Sequence, residues 1–335
     1  MRLFLQRLLK LSRGRIHPPP FLMMTEDKNT RKNLAENLLR QGQYHEAIAL
    51  MEEIHKEAPE EESVLLMMSW AYYDSGETGK AMEYLNVLLE RELNRKVFTG
   101  FAFDELVRMY KQEKQFGKLV EICERAVAVQ PEDVGLLNEL GNAYYESRRY
   151  TQATEIYKKL IEMEDDNPAF YCLWGNALFA NGLYQESELA YRKAGAIDSE
   201  NADRYYFKMA VLFQQAGKHQ DAERLFHQCL KMNPSHSLYL CALGDSLVVL
   251  GQMQKALAAY EKAVELNRAS AGSYYNRLGN SLMNAGNFSQ AAEAFQSAIQ
   301  CEPDRHYYLN LARAYREMGR TAEAEMIVRE VNKLV

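Results

Sequence analysis

The 335 residues are 47% hydrophobic and 26% charged, the balance of a folded chain with room for two ordinary domains or one elongated array. A net charge of −6 weighs against a general nucleic-acid binder, whose affinity comes from neutralising phosphates. Five cysteines, Cys123, Cys172, Cys229, Cys241 and Cys301, stand singly, so no disulfide framework or zinc site of familiar spacing is written; buried, reduced thiols in a cytoplasmic protein are expected.

Residues 1–22 differ in kind from the rest. Arg2, Arg7, Lys10, Arg13 and Arg15, with no acid, give +5 and leave −11 for residues 23–335. Leucine and phenylalanine interleave with these cations at helical spacing until Pro18-Pro19-Pro20 breaks the run. The segment has no signal-peptide core and is too short to span a bilayer. One reading is a basic amphipathic helix on an anionic membrane surface, which makes residues 1–22 the one segment of the sequence open to membrane contact. A loose tail, or residues upstream of a start at Met23 or Met24, is favoured, because so short a stretch binds membranes weakly without a second anchor. Residues 1–27 are accordingly assigned as a basic, flexible tail.

From residue 28 onward the chain predicts helix, with few glycines and prolines set against many Ala, Leu, Glu, Lys and Gln. One phrase recurs. LGNAYYES at 140 returns as WGNALFAN at 174, LGDSLVVL at 243 and LGNSLMNA at 278, and related phrases start at 34, 68, 106, 209 and 311. Steps of 33 to 35 residues, with a single step of 38, mark a stacked repeat. Within one period, Leu137, Leu140, Gly141 and Tyr144 share a helix face, and Tyr150, Ala153, Tyr157 and Leu160 share a second. Between the two helices stand Gly42, Gly76, Gly182, Gly217, Gly251, Gly286 and Gly319, placed to take the left-handed conformation that closes the first helix. Each period is therefore an antiparallel helical hairpin.

Small residues occupy two further columns. Gly141, Gly175, Gly244 and Gly279, with Ala35, Ala210 and Ala312, lie on first helices. Ala47, Ala81, Ala153, Ala222, Ala256, Ala291 and Ala324 lie on second helices. Larger side chains there would hold the helices apart. Pro59, Pro131, Pro234 and Pro303 fall at or just after second-helix ends, where proline stops the helix.

These columns resemble the tetratricopeptide repeat (TPR) family over about residues 28–335. The resemblance implies an all-α, right-handed superhelical solenoid of about nine helix-turn-helix units with a concave inner surface that holds peptides or helices of other proteins. Units 1 and 2 are placed at residues 28–95, a short insertion at 96–99, and units 3 to 9 at 100–335. The third unit departs from the pattern, with Val107 in the glycine column, Lys114 in the turn column and Leu119 in the alanine column, and its hairpin is expected to pack differently. Residues 91–100 read either as a joint or as an extended loop. Apolar Ile327, Val328, Val331 and Leu334 near the C-terminal end make self-association through that end an expectation.

Catalytic patterns are weak. GETGKA at 76–81 has Asp74 where a phosphate loop needs its first glycine and Ala81 where it needs a hydroxyl. The seven histidines include no HExxH or paired metal spacing, and His219 and His227 lie near Cys229, which occupies a packing column. No nucleophile, base and oxyanion set assembles, so no enzyme, cofactor or metal is expected.

The candidate binding residues are those placed to face inward from first helices: Asn138, Asn142, Tyr145, Asn176, Phe179, Arg204, Phe207, Lys208, Asp245, Val248, Asn280 and Met283. Asparagine offers both a donor and an acceptor to an extended peptide backbone, and aromatic neighbours supply apolar pockets. Some family members hold a C-terminal carboxylate with basic residues and asparagines. Asn142, Arg204 and Lys208 fall in those columns here, but Asn138 stands where a lysine is expected and Leu173 where an asparagine is. The expectation is a non-enzymatic scaffold gripping a protein or peptide partner, with a chaperone-like holder of hydrophobic secreted or membrane-associated clients as the alternative. No nucleic-acid partner is expected.

Overall fold

The computed structural model describes residues 28–95 and 100–331. The basic segment 1–22, Met23 and Met24, the insertion 96–99 and Leu334 lie outside the described residues. Among the described residues there are eighteen α-helices and no strand. Two compact units divide between Val129 and Gln130.

The first unit holds three hairpins: α1 Lys28–Arg40 with α2 Tyr44–Glu57, α3 Glu62–Asp74 with α4 Thr78–Arg95, and α5 Phe101–Gln112 with α6 Phe116–Val129. The second unit holds six. Its first three hairpins are α7 Val134–Glu146 with α8 Tyr150–Met163, α9 Pro168–Ala180 with α10 Tyr184–Ile197, and α11 Ala202–Gln215 with α12 His219–Met232. Its last three are α13 Ser237–Val249 with α14 Met253–Leu266, α15 Ala271–Asn284 with α16 Phe288–Cys301, and α17 Arg305–Glu317 with α18 Thr321–Val331.

The turns close as the glycine column predicts. Gly182 has φ +81°, its N–H bonds the Phe179 carbonyl at 3.0 Å, and the Leu183 N–H bonds the Leu178 carbonyl at 2.9 Å, which satisfies two carbonyls the helix end leaves open. Lys114 and Arg148 make the same turn without glycine, at φ 54° and 62°. The hairpin α5–α6, which contains Lys114, is the most sparsely packed of those described, in line with its departures. The 38-residue step has a local cause: α4 is 18 residues long, against 14 for α2, and residues 91–95 are helical.

The alanine columns are sealed. Ala35, Ala47, Ala81, Ala153, Ala210, Ala222, Ala256, Ala291, Ala312 and Ala324 expose no surface. Ser187 replaces alanine on α10, equally buried, and its hydroxyl donates to the Gly175 carbonyl at 2.7 Å. Four of the five cysteines are buried; Cys301, expected inside, is exposed because it ends α16, past the helix's last buried residue, Ala298.

In the second unit the glycine column exists for aromatic rings. A Cβ on Gly141 would sit 2.6 Å from Tyr157, on Gly175 2.9 Å from Tyr191, and on Gly244 2.6 Å from Tyr260; on Gly279 it would overlap Phe295. Each ring lies sixteen residues beyond its glycine and is at most 1% exposed. Burying a ring of that size is worth about 2–3 kcal/mol, so the absent Cβ secures a large packing term.

Candidate functional site

The seam tyrosines carry hydroxyls that cannot be buried unpaired. Tyr157 donates to Asn142 Oδ1 at 2.8 Å, Tyr191 to Asn176 Oδ1, and Tyr260 to Asp245 Oδ1. The acceptor is in each case the residue directly after the seam glycine. Burial pushes all three phenols above their ordinary pKa, so they remain protonated donors. Where phenylalanine replaces tyrosine, at Phe226 and Phe295, the acceptor column holds Val211 and Asn280.

First helices in the second unit are also cross-linked to one another. Gln214 on α11 donates to the Ala242 carbonyl and Ser246 Oγ on α13, both at 2.9 Å. Arg277 on α15 donates to Asp245 Oδ2 at 2.8 Å, and Asn310 on α17 donates to Asn276 Oδ1 at 2.8 Å. These bonds fix the spacing of the first-helix layer and consume Asp245 from two sides.

Between α9 and α11 the layer opens into a groove of about 610 Å³, lined by Leu173 and Asn176 on one side, by Phe207, Lys208 and Val211 on the other, and by Tyr191. Its size is that of a small-ligand or side-chain pocket. Phe207 is held in place by stacking on Tyr239, centroids 4.6 Å apart at 27°, and by Phe226 at 5.7 Å. Cys172 also lines the groove; burial pushes its thiol up to about 11, against the pull of Lys208, so it is neutral at physiological pH. A smaller cavity of about 260 Å³ in the first unit is polar, and four of its lining groups are paired with one another: Arg125 grips both oxygens of Glu90, and Asn86 donates to Tyr110 at 2.8 Å.

Tetratricopeptide repeat signatures match residues 38–98, 207–273 and 276–330, and a TPR repeat signature matches 141–182. The chain belongs to the tetratricopeptide repeat family. Among curated proteins none matches it. Solved structures similar to this TPR chain include yeast Tom70, at 16% identity over 93% of this chain and 86% of that one, TM-score 0.40. A tetratricopeptide repeat protein from Parabacteroides merdae is 16% identical over 76% and 98%, TM-score 0.48. YrrB, described as a TPR protein with an unusual peptide-binding site, is 18% identical over 56% and 96%, TM-score 0.36.

Of the residues singled out in this TPR sequence, Asn176, Phe207 and Lys208 meet at the groove. Arg204 is exposed one helical turn before Lys208. Phe179 is half-buried, its ring 5.0 Å from both Tyr184 and Phe213, and Tyr145 packs on Tyr150 at 5.5 Å. Val248 and Met283 are buried, at 2% and 8% exposure. Asn138 is half-buried with an Oδ1 that has no hydrogen-bond partner. Asn280 corresponds to Asn176 without a tyrosine to serve.

Sequence reasoning passed over Ala169, Tyr205 and Val211 as lining residues. The signal for Val211 was available, since it stands in the column of Asn142 and Asn176 and opposite a phenylalanine. Among the described residues, no group of His, Cys, Asp and Glu is arranged to hold a metal ion, and no helix is long and apolar enough to cross a membrane.

Proposed function

We propose that this TPR protein is a non-enzymatic scaffold whose first-helix layer grips a peptide segment or amphipathic helix of a partner protein, with the α9–α11 groove as the principal contact. The observation that carries the reading is the groove itself: apolar walls at Leu173, Phe207 and Val211, with a cation, Lys208, and an amide, Asn176, at the same opening. Apolar pockets with a few fixed polar groups are where peptide anchors bind. Tyr191 occupies the Asn176 carbonyl, leaving the Nδ2 protons to meet a backbone carbonyl. Asn142, placed alike against Tyr157, extends the same offer one hairpin earlier.

Removing Phe179 would open a gap beside Phe213, which is 3% exposed, so truncation confuses binding with stability. Filling the groove is the cleaner test. Ala169 lines it and is exposed, and Ala169→Trp should lower affinity for peptides selected from a displayed library at least about tenfold with an unchanged Tm. Unaltered affinity in the filled variant removes this groove from consideration.

A second reading, a chaperone-like holder, is favoured by Leu238 and Val249 on α13, which are 48% and 54% exposed and lie three turns apart on one face. It predicts comparable affinity for unstructured apolar peptides of unrelated sequence. Selection of one narrow motif would dismiss it.

A further inference from the structure

The first unit presents a face that its packing does not explain. In the second unit the residue after the seam glycine is Asn142, Asn176 or Asp245, and it serves the seam tyrosine. In α3 that position holds Trp70, and the seam residue opposite Ser69 is Leu85, which has no hydroxyl to satisfy. Trp70 is nevertheless only half-buried. Its indole meets the ring of half-buried Phe101 on α5 edge-on, centroids 5.8 Å apart at 78°. Near the end of α3, Tyr73 is half-buried as well; Arg108 on α5 lies over its ring at 4.7 Å and donates to its hydroxyl at 3.1 Å. Glu105 holds Arg108 in turn, at 2.6 Å. Three rings are thereby fixed on α3 and α5, the indole and the phenyl forming a corner.

A surface lined by fixed aromatic rings suits an extended proline-rich segment, whose rings pack flat against aromatic faces. A chain that proline already holds at φ of about −65° also loses little entropy on docking. The sequence holds one run of consecutive prolines, Pro18-Pro19-Pro20, followed by Phe21.

That run lies within reach. The chain enters α1 at Lys28, which pairs with Glu61, the residue before α3, and Lys32 donates to Ser63 at 2.6 Å, so the two helices begin side by side. From the start of α3 to Trp70 is about 12 Å along the helix, and neighbouring helix axes lie about 10 Å apart. The stretch from Pro20 to Lys28 spans up to about 26 Å, which covers both distances. A tether so short keeps the segment at about millimolar effective concentration, so a contact with a Kd of only about 0.1 mM is about nine-tenths filled.

We infer that residues 17–21 lie across α3 and α5 of the same molecule, with the prolines in the corner between Trp70 and Phe101. The face is then occupied by the chain's own segment, and a free proline-rich segment enters only by displacing it. The α9–α11 groove plays no part in this contact.

The test uses the full chain with Trp174→Phe, which leaves Trp70 as its only tryptophan. Replacing Pro18, Pro19, Pro20 and Phe21 by serine should raise acrylamide quenching of Trp70 about twofold at every protein concentration, as contacts that exclude water are lost. If Trp174→Phe impairs folding, the same two chains with Trp174 kept give the same change over a constant background. A fluorescein-labelled peptide of residues 15–23, acetylated and amidated, should bind the serine-substituted chain about tenfold tighter than the parent, whose own segment competes. Trp70→Asn, the residue type of the matching second-unit position, and separately Phe101→Ala at the first position of α5 should each weaken that binding by a similar factor. Quenching unaltered by the serine substitutions, or peptide binding that survives both face variants, overturns the inference. So does quenching that varies with protein concentration, which would place the segment on a second copy. Equal binding of a peptide with alanine for each proline overturns it too.

Discussion

The two compact units solve the same packing problem with opposite volumes. In the first unit the seam column holds Ala35, Ser69 and Val107, and sixteen residues on stand Met51, Leu85 and Cys123. In the second, glycine at Gly141, Gly175, Gly244 and Gly279 stands against Tyr157, Tyr191, Tyr260 and Phe295, with Ala210 against Phe226. Volume is traded across the hairpin, as a close-packed interior demands. The exchange has a chemical consequence, because a buried tyrosine brings a hydroxyl that needs an acceptor. The residue after the glycine is accordingly Asn142, Asn176 or Asp245 in the second unit, but Glu36, Trp70 and Arg108 in the first. The column that looks like a binding surface is thus first an answer to a packing decision, and its availability to a ligand is what the tyrosine leaves over.

The sharpest way to break this comparison is to give the second unit the first unit's seam on one side only. Gly244→Val would drive its side chain into Tyr260, where even a bare Cβ falls 2.6 Å from the ring, and should cost about 3 kcal/mol. The second unit's urea midpoint is the readout. Gly244→Ala with Tyr260→Leu, which imitates Ser69 with Leu85, should recover part of the stability lost in Gly244→Ala alone. An unchanged midpoint for Gly244→Val would show that the glycine column is not a packing requirement.

The hydroxyl arm is smaller. Tyr191→Phe removes the donor to Asn176 and should cost about 1 kcal/mol, since an acceptor loses its partner in a partly buried place. Phe295→Tyr should give the converse, a gain of up to about 1 kcal/mol, if Asn280 accepts the new hydroxyl as Asn176 does. Equal stability of both variants and the parent would separate the asparagine column from the seam and leave ligand binding as its main reason.

Much of this architecture is legible in the sequence, because stacked hairpins repeat short-range rules. The period places both helices of every unit, the turn glycines end the first helix, and the alanine columns are all buried. Arg148 escaped notice as a turn residue because it follows helix-neutral Ser147 with no glycine beside it, although its φ of 62° matches the glycine turns. The groove was less legible. It depends on which side chains of α9 and α11 fall short of one another, a property of summed volumes that no single column displays. The asparagines were identified by type, but their tyrosine partners lie fifteen residues away, and only reading two columns together reveals the bond.

The non-glycine turns give a test that should read alike in both units. Lys114→Gly and Arg148→Gly each relieve a left-handed residue and should raise stability by about 0.5–1 kcal/mol, less whatever entropy glycine adds to the unfolded chain. A gain in one unit and a loss in the other would mean that the lysine or arginine side chain is held by contacts worth more than the strain.

The smallest expected effect concerns how the first unit is held where it lacks large seam rings. Glu61, between α2 and α3, pairs with Lys28, accepts from Lys32 at 3.1 Å and lies 3.2 Å from Ser63 Oγ. The Lys28 contact, reinforced by Lys32 and opposed by partial burial, draws its carboxyl down to about 2 from 4.5. A carboxylate whose folded pKa is depressed stabilises fully above its unfolded value and loses that contribution as pH falls through the folded one. The window is therefore about pH 4.5 down to about 2. Because the pair is solvent-screened, the contribution is under about 1 kcal/mol. Glu61→Gln should lower the first unit's stability at pH 7 by that amount and flatten its acid dependence in this window, while α13–α16 in the second unit keep theirs, read by amide exchange corrected for intrinsic rates. Parallel acid profiles for parent and variant would mean that the pairing of Lys28 and Lys32 with Glu61 contributes nothing to the first unit's stability.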